Sequence, residues 1–95
     1  MITLEESDAF LSKACDEVKE ILRAKNRSYN GCAFEPVFIF SKIGALERLN
    51  VRLDEKIGRI MADPNAFNED AEFDLIGHLI LKRAVKMAVK AQSNV

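Results

Sequence analysis

Charged side chains recur at intervals of three or four residues along two stretches of this chain, and their types are suited to chemistry. The first line consists of Arg48, Arg52, Glu55 and Arg59. The second line consists of Asp70, Asp74, His78 and Lys82. Because side chains three or four residues apart share one face of a helix, each line is expected to follow a single helix. A basic line facing an acidic line can form salt bridges with it, or the two can bind a phosphate group and a metal ion.

An apolar stripe predicts the first helix, over about residues 4–25. Thr3 and Glu6 have the Ser/Thr-x-x-Glu spacing of a capping box, which places the helix start near Leu4. Apolar side chains then recur every three or four residues at Phe10, Leu11, Ala14, Cys15, Val18, Ile21 and Leu22. We expect this stripe, including the Cys15 thiol, to pack in the core.

Two further helices are predicted in the second half of the chain. Leucine and isoleucine side chains spaced 3-4-4-3 predict a helix over residues 45–62. Asn68 is the predicted N-cap of the last helix, over about residues 69–90. The apolar run VFIF after Pro36 fits a short strand or a short helix, and the helical surroundings favour the helix.

The last predicted helix is apolar on most of its sides, and this predicts an additional partner. Its apolar residues are Leu75, Ile76, Leu79, Ile80, Leu81, Ala84, Val85, Met87 and Ala88. A helix of this kind must be buried on most sides, and two other helices of one short chain do not suffice. We therefore expect residues 1–95 to form a single all-α domain, a bundle of three to four helices completed by homo-oligomerisation.

Composition and charge exclude several classes of protein. Apolar residues make up 48% of the chain and charged residues 31%, which is typical of a globular domain. The net charge of −1, with basic residues interleaved among acidic ones, argues against a nucleic-acid partner. Cys15 and Cys32 match no metal-ligand spacing and are too few for a disulfide scaffold.

The sequence predicts no membrane partner and a cytoplasmic location. The most apolar region, around residues 75–89, is interrupted by His78, Lys82, Arg83 and Lys86. That region is too charged to span a bilayer. The first ten residues are acidic and lack the long apolar stretch of a secretory signal.

Three motifs in order carry a family resemblance. They are KNRSY at 25–29, VRLDEKIGRI at 51–60 and EDAEFDLIGHLIL at 69–81. Together they resemble the nucleotide modification associated domain 1 family of phages and bacteria and, more distantly, the MazG-like all-α nucleotide pyrophosphohydrolases. The resemblance covers roughly residues 20–88. It implies a small protein of nucleotide metabolism, acting in the host cytoplasm if a phage encodes it.

The resemblance implies a site assembled from all three motifs. The residues expected to bind the nucleotide are Lys25, Tyr29, Arg52, Lys56 and Arg59. The residues expected to bind Mg²⁺ are Glu55, Asp70 and Asp74. Arginine can bind phosphate through a bidentate fork and lysine as a point charge, whereas carboxylates are oxygen ligands suited to Mg²⁺. Tyr29 would stack on a base or, alternatively, anchor its own loop, and His78 is expected to be an interior or interface histidine.

Three functions stay open at this point. The favoured one is nucleotide binding, extending, if the protein is catalytic, to Mg²⁺-dependent cleavage of a (deoxy)nucleoside triphosphate to monophosphate and pyrophosphate. The second is non-catalytic sequestration of a nucleotide or cyclic nucleotide, as an anti-defence protein would perform. The absence of a MazG-type Glu-x-x-Glu pair on the matching helix favours this second function. The third is a purely structural helical oligomer.

Overall fold

The protein is all-α, as the sequence predicts. A computed structural model describes residues 1–93, which form three α-helices and no strand. The helices are α1 (Leu4–Ser28), α2 (Ala45–Ala62) and α3 (Ala71–Ser93), and a single 3-10 turn, Ala66–Asn68, precedes α3. None of the helices in this described part of the chain is long and apolar enough to cross a membrane.

Helix α1 begins where the capping pattern predicts and ends three residues later than predicted. The Glu6 backbone N–H donates to the Thr3 hydroxyl oxygen at 3.0 Å, which satisfies one of the unpaired amides of the first turn. At the other end, the Tyr29 N–H donates to the Lys25 carbonyl at 2.9 Å. The chain then turns at Gly31, whose φ of 68° lies in the left-handed region that glycine adopts without steric cost.

Helix α2 has the predicted bounds, but the segment before it is not the predicted short helix. Residues 36–44 form neither helix nor strand. The Arg48 guanidinium donates to the carbonyls of Val37, Ser41 and Ile43, at 3.2, 3.2 and 2.9 Å. The preference for a helix here was wrong because carbonyls that a helix would pair internally are bound by a side chain from α2 instead.

The N-cap of α3 is Asp70 and not Asn68, which corrects the sequence prediction. The Asp70 carboxylate accepts the Phe73 N–H at 2.9 Å. Asp70 lies eight residues after the last residue of α2, Ala62. Asn68 ends the 3-10 turn with a φ of 56°, and Phe67 before it has a φ of 59°. An N-cap has an extended backbone, so left-handed Asn68 cannot take that role.

The helices meet around a small core. The buried apolar residues are Val18, Leu49, Leu53, Ala71 and Val85. Helix α3 packs mainly on α2, and α1 crosses α3 where Gly77 lets the Leu22 side chain approach: a Cβ at position 77 would lie 3.6 Å from Leu22 Cδ2. The prediction that the α1 stripe packs in the core holds for Val18, which is buried, while Leu22 is half-buried. The other members of the stripe are exposed: Phe10, Leu11, Ala14, Cys15 and Ile21.

Candidate functional site

A cavity of about 420 Å³ opens where α1, α2, α3 and the loop after α1 meet. Its polar lining residues are Lys25, Asn26, Tyr29, Arg48, Arg52, Lys56, Asp74 and His78. Its apolar lining includes Val18, Ile21, Leu22, Leu49, Phe73 and Leu81. The volume lies within the range of small-molecule sites in proteins, and the mixture of apolar walls and a few polar groups is typical of them.

Helical spacing brings the polar groups to this cavity from three directions. Lys25 and Tyr29 are four residues apart, at the end and C-cap of α1. On α2, Arg48, Arg52 and Lys56 are each separated by four residues and so share one face. Of the five residues expected to bind a nucleotide, the structure brings Lys25, Tyr29, Arg52 and Lys56 to one cavity.

Positive charge predominates in the cavity wall. Four cationic side chains and one carboxylate line it. Lys25 and Arg52 have no acidic partner within 4.0 Å among residues 1–93. Both side chains are exposed, so they are accessible to an anion that enters the cavity from solvent.

Salt bridges join α2 to α3 near the C-terminal end of α2. The Lys56 ammonium lies 3.7 Å from the Asp74 carboxylate, and one Arg59 nitrogen lies 3.8 Å from it. Arg59 also hydrogen-bonds the Glu69 carboxylate and does not line the cavity. The salt-bridge alternative therefore describes Lys56, Arg59 and Asp74, while Arg52 is outside this network.

Arg48 has a structural task beside the cavity. Besides its three carbonyl contacts, its guanidinium carbon lies 5.2 Å from the centre of the Phe38 ring. A cation at this distance over an aromatic face is attracted to it. Arg48 therefore fixes the loop before α2 and has few donors left for a ligand.

The three predicted magnesium ligands do not converge. Asp74 lines the cavity, Asp70 caps α3 through its carboxylate, and Glu55 is exposed outside the cavity. Within residues 1–93 no three His, Cys, Asp or Glu side chains are placed to hold a metal ion together. These residues do not fit a shared Mg²⁺ site in this arrangement, and Mg²⁺ binding stays a prediction.

His78 belongs to the cavity, which sequence reasoning did not foresee. Its Nδ1 lies 2.9 Å from the Asp74 carbonyl oxygen. Since a carbonyl only accepts, Nδ1 carries the proton, and Nε2 is the remaining polar atom of the ring. The sequence offered one signal: His78 is one helical turn after Asp74 and so shares its face of the helix.

Asn26 was also missed as a site residue. It lies in the cavity wall beside Lys25, and its carbonyl accepts the Gly31 N–H at 2.9 Å. Its place in the KNRSY motif was the available signal.

Comparisons with protein-family models, with curated proteins and with solved structures find no match. The likeness to the nucleotide modification associated domain 1 family therefore rests on the three sequence motifs.

Proposed function

We propose that the cavity binds a nucleotide or a nucleotide-like phosphate ligand. The observation that carries this proposal is the pair of cations, Lys25 and Arg52, that line a partly apolar cavity without an acidic partner among residues 1–93. Both side chains are exposed and so are accessible to a ligand, and a phosphate is the kind of group to which arginine and lysine donate charge-assisted hydrogen bonds.

Each side chain has a distinct role in the proposed complex. The Arg52 guanidinium donates two parallel hydrogen bonds to one phosphate, and the Lys25 ammonium acts as a point charge. Lys56 turns from Asp74 toward the same phosphate. Tyr29, with 62% of its surface exposed, stacks its ring on the base at the cavity mouth.

Binding without hydrolysis is the version we favour. Of the three carboxylates predicted to hold Mg²⁺, only Asp74 reaches the cavity, and two cations already pair with it. The protein would then sequester a nucleotide or cyclic nucleotide. The catalytic version, Mg²⁺-dependent cleavage of a nucleoside triphosphate, is the alternative implied by the family resemblance.

The test is a thermal-shift and calorimetry panel of nucleoside mono- and triphosphates and cyclic nucleotides, each with Mg²⁺ or EDTA. A ligand that binds only the native state raises the melting temperature by mass action. We expect Arg52→Ala to weaken the best ligand by about 10- to 100-fold, as loss of a charge-assisted contact does. The matched control is Arg23→Ala, an exposed arginine of α1 outside the cavity, which should bind as the wild type does.

Two results would overturn the proposal. One is the absence of any shift across the panel, and the other is equal weakening by Arg52→Ala and Arg23→Ala. Release of pyrophosphate that EDTA abolishes would favour the catalytic alternative instead.

A homo-oligomer is part of the proposal, as the apolar α3 predicts. The supporting observation is the extent of exposed apolar surface, which includes Leu11 at 67% and Met87 at 62%. The same observation favours a structural oligomer as the second candidate, and the ligand panel separates that candidate from a nucleotide-binding one.

A further inference from the structure

The single chain exposes more surface than its mass requires. Its accessible area is 7865 Å², whereas a folded monomer of 10.7 kDa exposes about 5,500 Å². Its radius of gyration is 15.9 Å, compared with about 12 Å for a compact domain of this length. The excess area, about 2,400 Å², is larger than the ~800 Å² that each partner contributes to a standard interface.

Part of the excess is an apolar surface on α1. Phe10, Leu11, Ala14 and Cys15 are all exposed, and we call them the exposed α1 stripe. Leu11 is seven residues before buried Val18, so the two share a face of α1. The exposed α1 stripe therefore continues the face on which Val18 is buried, but its own side chains are exposed.

A second apolar surface is on the side of α3 opposite the core. Its residues are Ile76, Leu79, Ile80 and Met87, which we call the outer α3 face. Val85 is nine residues after Ile76. At 100° per residue, the helix has turned by two and a half turns over this separation, so the two residues lie on opposite sides of it. Val85 is buried and Ile76 is 48% exposed, so α3 is apolar on both its inner and outer sides.

The charges around the two surfaces are complementary. Residues 4–20 of α1 carry six acidic and two basic side chains, a net charge of −4. Residues 79–93 of α3 carry four basic and no acidic side chains, a net charge of +4. One chain thus presents an acidic apolar surface and a basic apolar surface that match each other.

We propose that a second copy of this chain covers both surfaces. In the resulting two-fold dimer, the exposed α1 stripe of each copy packs on the outer α3 face of the other. A two-fold interface requires one molecule to present both halves of the contact, and this chain presents them with opposite charge. None of the eight residues lines the cavity, so the dimer is independent of the proposed ligand.

The first experiment measures mass by sedimentation equilibrium on the full chain. We expect twice the chain mass at micromolar concentration. Leu11→Lys and Ile80→Glu should each raise the dimer dissociation constant by at least about 100-fold, because each places a charge against a surface of the same sign twice in the two-fold interface. The matched control is Met61→Glu at the end of α2, an 82% exposed apolar residue outside both surfaces, which should remain dimeric.

A second experiment does not depend on a disruptive variant. In a Cys32→Ser background, Met87→Cys should form a disulfide with Cys15 of the other copy under mild oxidation, giving a covalent dimer on a non-reducing gel. Met61→Cys in the same background should give none.

Three results would overturn the proposal. They are a monomer at all concentrations, an assembly larger than two chains, and a Cys15 disulfide that forms only within one chain.

Discussion

The Lys56 ammonium nitrogen lies 3.7 Å from the Asp74 carboxylate, and this contact joins α2 to the acidic line of α3. The Lys56 and Asp74 side chains are 18% and 32% exposed, so the pair is half-buried at the edge of the cavity. If the cavity binds a phosphate as proposed, this carboxylate competes with it for the same cation. Asp74 neutralises part of the positive charge of the cavity wall.

Replacing Asp74 should therefore separate binding from metal coordination. We expect Asp74→Ala to leave nucleotide affinity unchanged or raise it several-fold, because Lys56 becomes free for phosphate. The stability cost should not exceed about 1 kcal/mol, as for other partly exposed ion pairs. Calorimetric titration and urea unfolding measure the two quantities. The control is Asp16→Ala, which removes a remote exposed ion pair with Lys19. A Mg²⁺-dependent loss of nucleotide affinity in Asp74→Ala, but not in the control, would indicate that Asp74 is a metal ligand.

Asp70 should behave as a helix cap. Asp70→Ala is expected to lower the free energy of unfolding by about 1 kcal/mol, because the Phe73 N–H loses its acceptor. Asp70→Asn should recover most of that loss, since an amide oxygen caps as well as a carboxylate does. Urea denaturation of both variants makes the comparison. If asparagine were as damaging as alanine, the charge of Asp70 and not its cap would matter.

Arg48 should control the order of the loop before α2. Arg48→Lys keeps the charge but loses the fork that reaches three carbonyls, so residues 37–43 should exchange their amide hydrogens faster. We expect a loss of about 1–2 kcal/mol in the free energy of unfolding. Hydrogen–deuterium exchange with mass spectrometry reads the loop directly. Arg23→Ala serves as the control, and unchanged exchange in Arg48→Lys would contradict the role.

The inner face of α3 should be more sensitive to truncation than the end of the same helix. Val85 is 2% exposed and Val89 is 50% exposed. Val85→Ala should cost about 2 kcal/mol through lost burial and a residual cavity. The same change at Val89 should cost less than about 0.5 kcal/mol. Thermal unfolding of the two variants tests the prediction, and equal losses would refute the assignment of α3's inner face.

Local sequence features determined the helices of this protein. The Thr3 cap, the leucine spacing of α2 and the apolar pattern of α3 each depend on residues within a few turns, and their helices form as predicted. One departure from the prediction depends on a distant residue. The Pro36 segment stays irregular because Arg48 takes its carbonyls, and the sequence of that segment does not contain this information.

The cavity, too, could be predicted from the sequence only in part. From the sequence, the family resemblance implied that Lys25, Arg52 and Lys56 bind phosphate and that Tyr29 stacks on a base or anchors its loop. Spacing put Arg52 and Lys56 on one predicted helix. Helical periodicity does not determine how α1 packs against α3, and this packing decides which helix faces line the cavity.

Only the tertiary structure decided which charges pair. Asp74 meets Lys56 and Arg59 because α2 and α3 lie side by side, whereas Arg52, one turn earlier than Lys56, faces the cavity without an acidic neighbour within residues 1–93. The sequence determined the chemistry of each line of side chains through local backbone geometry. The packing of the helices determined the distances between the lines, and these distances decide which cations form salt bridges and which line the cavity without an acidic partner among residues 1–93.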